Sequence, residues 1–208
     1  TTTGRPSYHS PELDVCVSNA QGCGMGRRGD GADGHSWAGG LGVLLDAEGD
    51  DVYTAGNWSM GTGYWFGIGL LHDGDGNDEY RVDATGLGWS LNRSVALLLD
   101  TGGNDTCSTT EIPRPGWAEN NPAFRTRPGV STYFADTSSI GLFLDVGGRD
   151  EYWGDLGDDM VRLDPPDSPN WEDRNFGVFV DRAAGEIDFT PVPSKVPSLA
   201  ATAPAIMR

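Results

Sequence analysis

Carboxylates recur along this chain in pairs five residues apart, each pair set around a glycine turn. The leading acids are Asp46, Asp73, Asp100, Asp145 and Asp181, and the second acids are Asp51, Asp78, Asp105, Asp150 and Glu186. Each pair follows a short apolar run: GVLLDAEGDDVY, GIGLLHDGDGNDEY, VALLLDTGGNDTC, IGLFLDVGGRDEY and the looser FGVFVDRAAGEID, whose glycine has moved to Gly185. Acids beside glycine-rich backbone suit a hard cation, because Ca2+ takes about six to eight oxygens in an adaptable shell and such turns bring carbonyls within reach. The candidate Ca2+ ligands are therefore Asp46, Asp51, Asp73, Asp75, Asp78, Asp100, Asp105, Asp145 and Asp150. The richest turn is Asp73-Gly-Asp75-Gly-Asn77-Asp78, and the poorest is the last, where Arg182 supplies a local positive charge. A second reading needs no metal: each Asp accepts hydrogen bonds from N–H groups of its own turn.

The first three copies stand 27 residues apart, at 46, 73 and 100, and the last two follow 45 and 36 residues further on. Recurrence on this scale predicts stacked units rather than one globular core. A glycine-rich element precedes each acid-bearing strand: QGCGMG at 21–26, MGTGYW at 60–65, TGLGWS at 85–90 and, more loosely, PGVSTY at 128–133. Insertions at 27–37, 108–128 and 153–175 are expected to leave the stack as side loops. Like positions of parallel neighbours lie ~4.8 Å apart. Asp46, Asp73 and Asp100 would then form one column and Asp51, Asp78 and Asp105 another. Each adjacent pair would repel by ~1 kcal/mol in water and more near protein.

Counted back from the leading acid, positions −5, −3 and −1 are aliphatic or aromatic in every copy except at His72. Position −4 is small (Gly42, Gly69, Ala96, Gly141, Gly177), and position −2 is Leu44, Leu71, Leu98, Phe143 and Phe179. Strands lacking a polar face are buried on both sides, as in covered parallel sheets. The expectation is an all-β fold, a parallel β-solenoid (β-helix) of about five to six coils with long inserted side loops and the −5/−3/−1 face inward. The Leu44/Leu71/Leu98/Phe143/Phe179 column would then face outward and meet the loops, another protein chain or further copies of the repeat. A β-sandwich of greasy strands is the alternative, but its hairpins would recur every ~8–12 residues. Residues 1–13 read as an N-terminal cap or the cut edge of a longer array, since Asp14 to Gly22 aligns without gaps on Asp78 to Gly86. Residues 14–190 form the repeat domain, and the Pro/Ala-rich stretch 191–208 reads as a tail.

With 31 Gly and 13 Pro in 208 residues, composition favours turn-rich β structure. A formal charge of −17 opposes nucleic acid and anionic membrane surfaces. No apolar run approaches the ~18 residues of a membrane span. Cys16 and Cys23 are close enough to bridge in an oxidising compartment, and equally read as small buried residues beside Cys107. Tyr53, Tyr80 and Tyr152 share a column with Cys107, read as stacked core. Trp58, Trp65, Trp89 and Trp153 read first as packing under the loops and second as a stripe for sugar rings. Arg28-Gly29-Asp30 is a tripeptide of the kind that chance supplies, and His9, His35 and His72 lack metal-ligand spacing. No nucleophile elbow, zinc-protease or phosphate-loop motif is present.

GDGNDEY at 74–80 resembles the Gly/Asp-rich nonapeptide of RTX proteins, with Gly74, Gly76, Asp78 and Tyr80 in its conserved places; TGGNDTC, VGGRDEY and AEGDDVY match in part. That family forms secreted parallel β-rolls with Ca2+ in the turns, so the resemblance implies metal-facing roles for Asp51, Asp78, Asp105 and Asp150. It departs in period, since RTX turns recur every nine residues. The expected function is a non-catalytic, secreted, cell-surface or periplasmic module with a structural or assembly role and Ca2+-stiffened turns. Alternatives are a carbohydrate-binding or carbohydrate-active repeat, and an accessory subunit of a larger complex.

Overall fold

Apolar runs bounded by Asp-Gly turns, without any helical stripe, fold into strands alone: the computed structural model describes residues 2–3, 8–10, 15–27, 35–83, 85–109, 115–119, 139–154, 156–164 and 176–183, and none of these is helical. Among the described residues, eighteen strands, numbered along the chain, belong to four sheets. The largest contains the acid-bearing strands β5 (Leu41–Leu45), β9 (Ile68–Asp73), β12 (Val95–Asp100), β15 (Ile140–Val146) and β18 (Phe176–Arg182), with β17 (Val161–Asp164) on its edge. A five-stranded sheet joins β1 (Thr2–Thr3), β6 (Val52–Ala55), β10 (Glu79–Val82), β13 (Thr106–Thr109) and β16 (Glu151–Tyr152). A four-stranded sheet holds the glycine-rich elements β4 (Gly24–Met25), β8 (Gly63–Tyr64), β11 (Ser90–Leu91) and β14 (Ala118–Glu119). The smallest joins β2 (Tyr8–Ser10), β3 (Val15–Ala20) and β7 (Asn57–Ser59).

Successive copies pair in parallel with residues one repeat apart as partners. Val43, Leu70, Leu97, Leu142 and Val178 form one row, and Asp73, Asp100, Asp145 and Asp181 another. The expected single parallel solenoid of five to six coils is nevertheless corrected. The strands are divided among four sheets, and two of these are mixed, because β17 runs antiparallel to β18 and β2 antiparallel to β3. Corners divide the copies: Gln21, Met60 and Leu87 have left-handed backbone and are each followed by a left-handed glycine, which breaks the strand and sends the chain into another sheet.

The direction in which the acid-bearing strands face is also reversed. Leu41 is 73% exposed and Ile68 50%, whereas Leu71, Leu98 and Phe143 are 0% exposed. The column expected to meet a partner is thus the interior, with Phe179 buried and Leu44 partly so. The small −4 column supplies the reason. A Cβ on Gly69 would lie 2.1 Å from the Thr62 carbonyl oxygen, and one on Gly141 2.1 Å from that of Trp117. Backbone of the glycine-rich elements presses against this side, so it must be the inner one. Tyr53 and Tyr80 stack at 5.0 Å and 6°, and Phe143 and Phe179 at 5.1 Å and 16°, filling the same core. Burying each such ring or leucine contributes roughly 1.5–3 kcal/mol. The turns stack as closely: a Cβ on Gly103 would meet the Gly76 carbonyl oxygen at 1.5 Å.

Glu186, the Arg-Gly-Asp tripeptide, most of the 108–128 insertion and the 191–208 tail lie outside the described residues.

Candidate metal centre

Reversal of the strand carries the leading acids inward with Leu71, Leu98 and Phe143, since position 0 shares a face with −2 and −4. Asp73, Asp100, Asp145 and Asp181 are 0% exposed. The second acids end the turns and point back into the same space, leaving Asp78, Asp105 and Asp150 buried as well. Three clusters result: Asp78 with Asp100 and Asp105, Asp105 with Asp145 and Asp150, and Asp150 with Asp158 and Asp181. Within each, one carboxylate oxygen per residue lies within 4.8 Å of the others. Neighbouring clusters share Asp105 and Asp150, so they form one row.

Most of these carboxylates are oriented by a specific donor, whereas both oxygens of Asp181 are buried without one. Backbone N–H groups of Asp51, Asp78 and Asp105 donate to Oδ1 of Asp78, Asp105 and Asp150 at 2.6, 2.7 and 2.7 Å. These bonds run to the neighbouring copy, not within one turn as the metal-free reading supposed. Own-turn bonds occur at leading acids, from Ala47 N–H to Asp46 and from Gly102 N–H to Asp100. Tyrosine hydroxyls donate to the leading acids: Tyr53 to Asp73, Tyr80 to Asp100 and Tyr152 to Asp145. The first two bonds reach the next copy. Tyr152 serves its own, because Cys107 holds the register position from which a tyrosine would reach Asp145.

The second oxygens are left over. Asp78 Oδ2, Asp105 Oδ2, Asp145 Oδ1 and Asp150 Oδ2 are buried with no hydrogen-bond partner. The middle cluster, Asp105–Asp145–Asp150, therefore joins three residues that are no more than 5% exposed and that each keep one partnerless oxygen. Ion pairs seen among the described residues, Arg81–Glu79 and Arg182–Asp159, lie outside this cluster. Burial, followed by the charge of neighbouring acids, pushes Asp105 up to about 9. Burial pushes Asp145 up to about 8 and Asp78 to about 7, against the tyrosine or backbone bond that each accepts. Asp100 and Asp150 rise to about 6 for the same main reason.

A cluster of this kind is resolved either by protons or by a cation. The ligands are oxygens only, which selects hard ions such as Ca2+, Mg2+ or Mn2+ over zinc or copper. The clusters could hold such a hard cation, with carbonyls or water completing its oxygen shell.

Of the expected ligands, Asp78, Asp100, Asp105, Asp145 and Asp150 are brought together. Asp46, Asp51, Asp73 and Asp75 fall outside the clusters, and Asp75 is exposed, so the turn richest in acid is not the centre. Asp158 and Asp181 join instead. The 20-residue intervals from Tyr53 to Asp73 and from Tyr80 to Asp100, and the seven-residue interval from Asp145 to Tyr152, were the visible signals for the tyrosine donors. A second ladder also escaped the sequence reading: Asn77 Nδ2 donates to Asp50 Oδ1 at 3.0 Å and Asn104 Nδ2 to Asn77 Oδ1 at 2.9 Å, one residue before each second acid. The Asn77 backbone N–H, aided by its side-chain amide, holds the exposed Asp50 below the usual carboxylate range. Cys23 and Cys107 are free thiols, and burial raises Cys23 to about 12; the Cys16 side chain lies outside what is described. Trp65 and Trp89 are buried, Trp58 is half-buried and Trp153 exposed, so these four rings do not make a surface stripe. No helix among the described residues is long and apolar enough to cross a membrane. No family model, curated protein or solved structure matches the chain.

Proposed function

We propose that this protein is a non-catalytic repeat module with a structural or assembly role, whose row of buried aspartates takes up Ca2+ and so ties each copy to the next. The observation that carries this reading is the middle cluster, where the buried carboxylates of Asp105, Asp145 and Asp150 come together and each keeps an oxygen without a partner. Burial argues equally against catalysis there, because a substrate cannot reach carboxylates no more than 5% exposed. The resemblance of residues 74–80 to Ca2+-binding RTX turns is consistent with it. So is the net charge of −17, which bound divalent ions would lower. A secreted or cell-surface setting, where Ca2+ is abundant, suits a module that depends on the ion.

The test is thermal unfolding of the metal-stripped chain at pH 7.5, with and without 2 mM CaCl2, alongside calorimetric Ca2+ titration. Ca2+ should raise the melting temperature by several degrees, as expected when a ligand binds only the folded state well above its Kd. An identical melt in chelator and in Ca2+, with no heat of binding, would remove the proposal.

A further inference from the structure

The reversal that buries the acids turns the other side of the acid-bearing strands outward, and that side is apolar. Leu41, Val43, Leu45, Ile68, Val95 and Phe176 are between 39% and 73% exposed, and they lie in adjoining columns of one six-stranded sheet. Positions −5, −3 and −1 bring no carboxylate to this face in any copy, and His72 is their single ionisable side chain, in a chain of formal charge −17. With their half-buried neighbours these side chains present an apolar surface on the order of several hundred Å², the size at which an exposed patch marks an interaction site.

We propose that this sheet face is the interface of a homodimer, in which two copies pack face to face about a two-fold axis. Area argues for a whole partner sheet, since a short peptide would leave most of the columns wet. Chemistry argues for a second copy. A two-fold contact sets the same patch against itself, and an uncharged patch brings no like charges against its image. This face meets that condition, whereas the acidic turns do not. Rows of similar aliphatic side chains on a twisted sheet also interdigitate with an identical sheet about 10 Å away, as in aligned sheet packing. The face stands independently of whether the acid row holds an ion.

Sedimentation velocity of the full chain at about 50 μM, in EDTA and in Ca2+, tests the proposal. The expected result is a dimer in both. Ile68→Glu combined with Val95→Glu, at positions already 50% and 39% exposed, should weaken it at least tenfold while leaving the far-UV spectrum unchanged. Thr106→Glu, which adds a negative charge at an exposed position of the five-stranded sheet, should leave the dimer intact. Raising NaCl from 50 to 500 mM should tighten the wild-type dimer, because salt screens the repulsion between two acidic bodies while the apolar contact persists. A wild-type monomer at 50 μM, a dimer indifferent to the double substitution, one equally broken by Thr106→Glu, or one loosened by salt would each overturn it.

Discussion

The Tyr80 hydroxyl donates to Asp100, the leading acid of the next copy, while its ring stacks on Tyr53. One side chain thus joins the aromatic column to the acid row. Tyr80→Phe should keep the stacking and remove the donor, leaving a buried carboxylate oxygen unpaired. The expected loss is about 1–3 kcal/mol, the usual cost of a missing bond to a buried charged group. Urea unfolding of the two chains in saturating Ca2+ measures it, and equal midpoints would mean that the hydroxyl contributes nothing.

Asp145→Asn should act in opposite directions with and without metal. In chelator the neutral isostere relieves charge crowding among Asp105, Asp145 and Asp150, so the melting temperature should rise. In Ca2+ it removes a ligand, so the ion's stabilisation should shrink and its Kd should weaken about tenfold or more. Asp46→Asn, outside every cluster, should do neither. Paired melts of the three proteins decide the matter.

Stability of the metal-free protein should fall as pH rises. Asp78, Asp145 and Asp105, raised to about 7, 8 and 9, hold protons in the folded chain that an unfolded chain has already released. Unfolding then releases protons, and rising pH favours it. The contribution is complete below the ordinary carboxylate range, near 4, and is lost progressively as pH climbs through these three values. Melts in EDTA between pH 4.5 and 9 should therefore decline steadily. Ca2+ should flatten the decline, since it binds the deprotonated acids and competes with protons.

Leu71→Ala should cost about 2–5 kcal/mol, as expected for a leucine removed from a packed core. Leu41→Ala, on the opposite side of the same sheet and 73% exposed, should change monomer stability by about 0.5 kcal/mol or less. Denaturant titrations of both compare the two sides directly. The reverse order would restore the inward face that the strand pattern alone suggested.

The amino-acid sequence by itself determined the period, the all-strand character and the alignment of like positions. The partners of Val43 are Leu70 and then Leu97, at the 27-residue interval written in the chain. Repetition is legible because every copy repeats the same local interactions, apolar run followed by Asp-Gly turn. Tertiary structure decided three things. It chose which side of the strand is inner, since both sides are apolar and alternation carries no sign; the close approach of backbone to Gly69 and Gly141 made the choice. It divided the copies among four sheets, because corners such as Met60-Gly61 and the antiparallel β17 depend on contacts far along the chain. It also gathered Asp105, Asp145 and Asp150 from two copies into one buried cluster, leaving the more acidic Asp73–Asp78 turn largely aside. Charge density along a sequence is local, whereas a cation centre needs partnerless oxygens to converge in space, and convergence belongs to the fold.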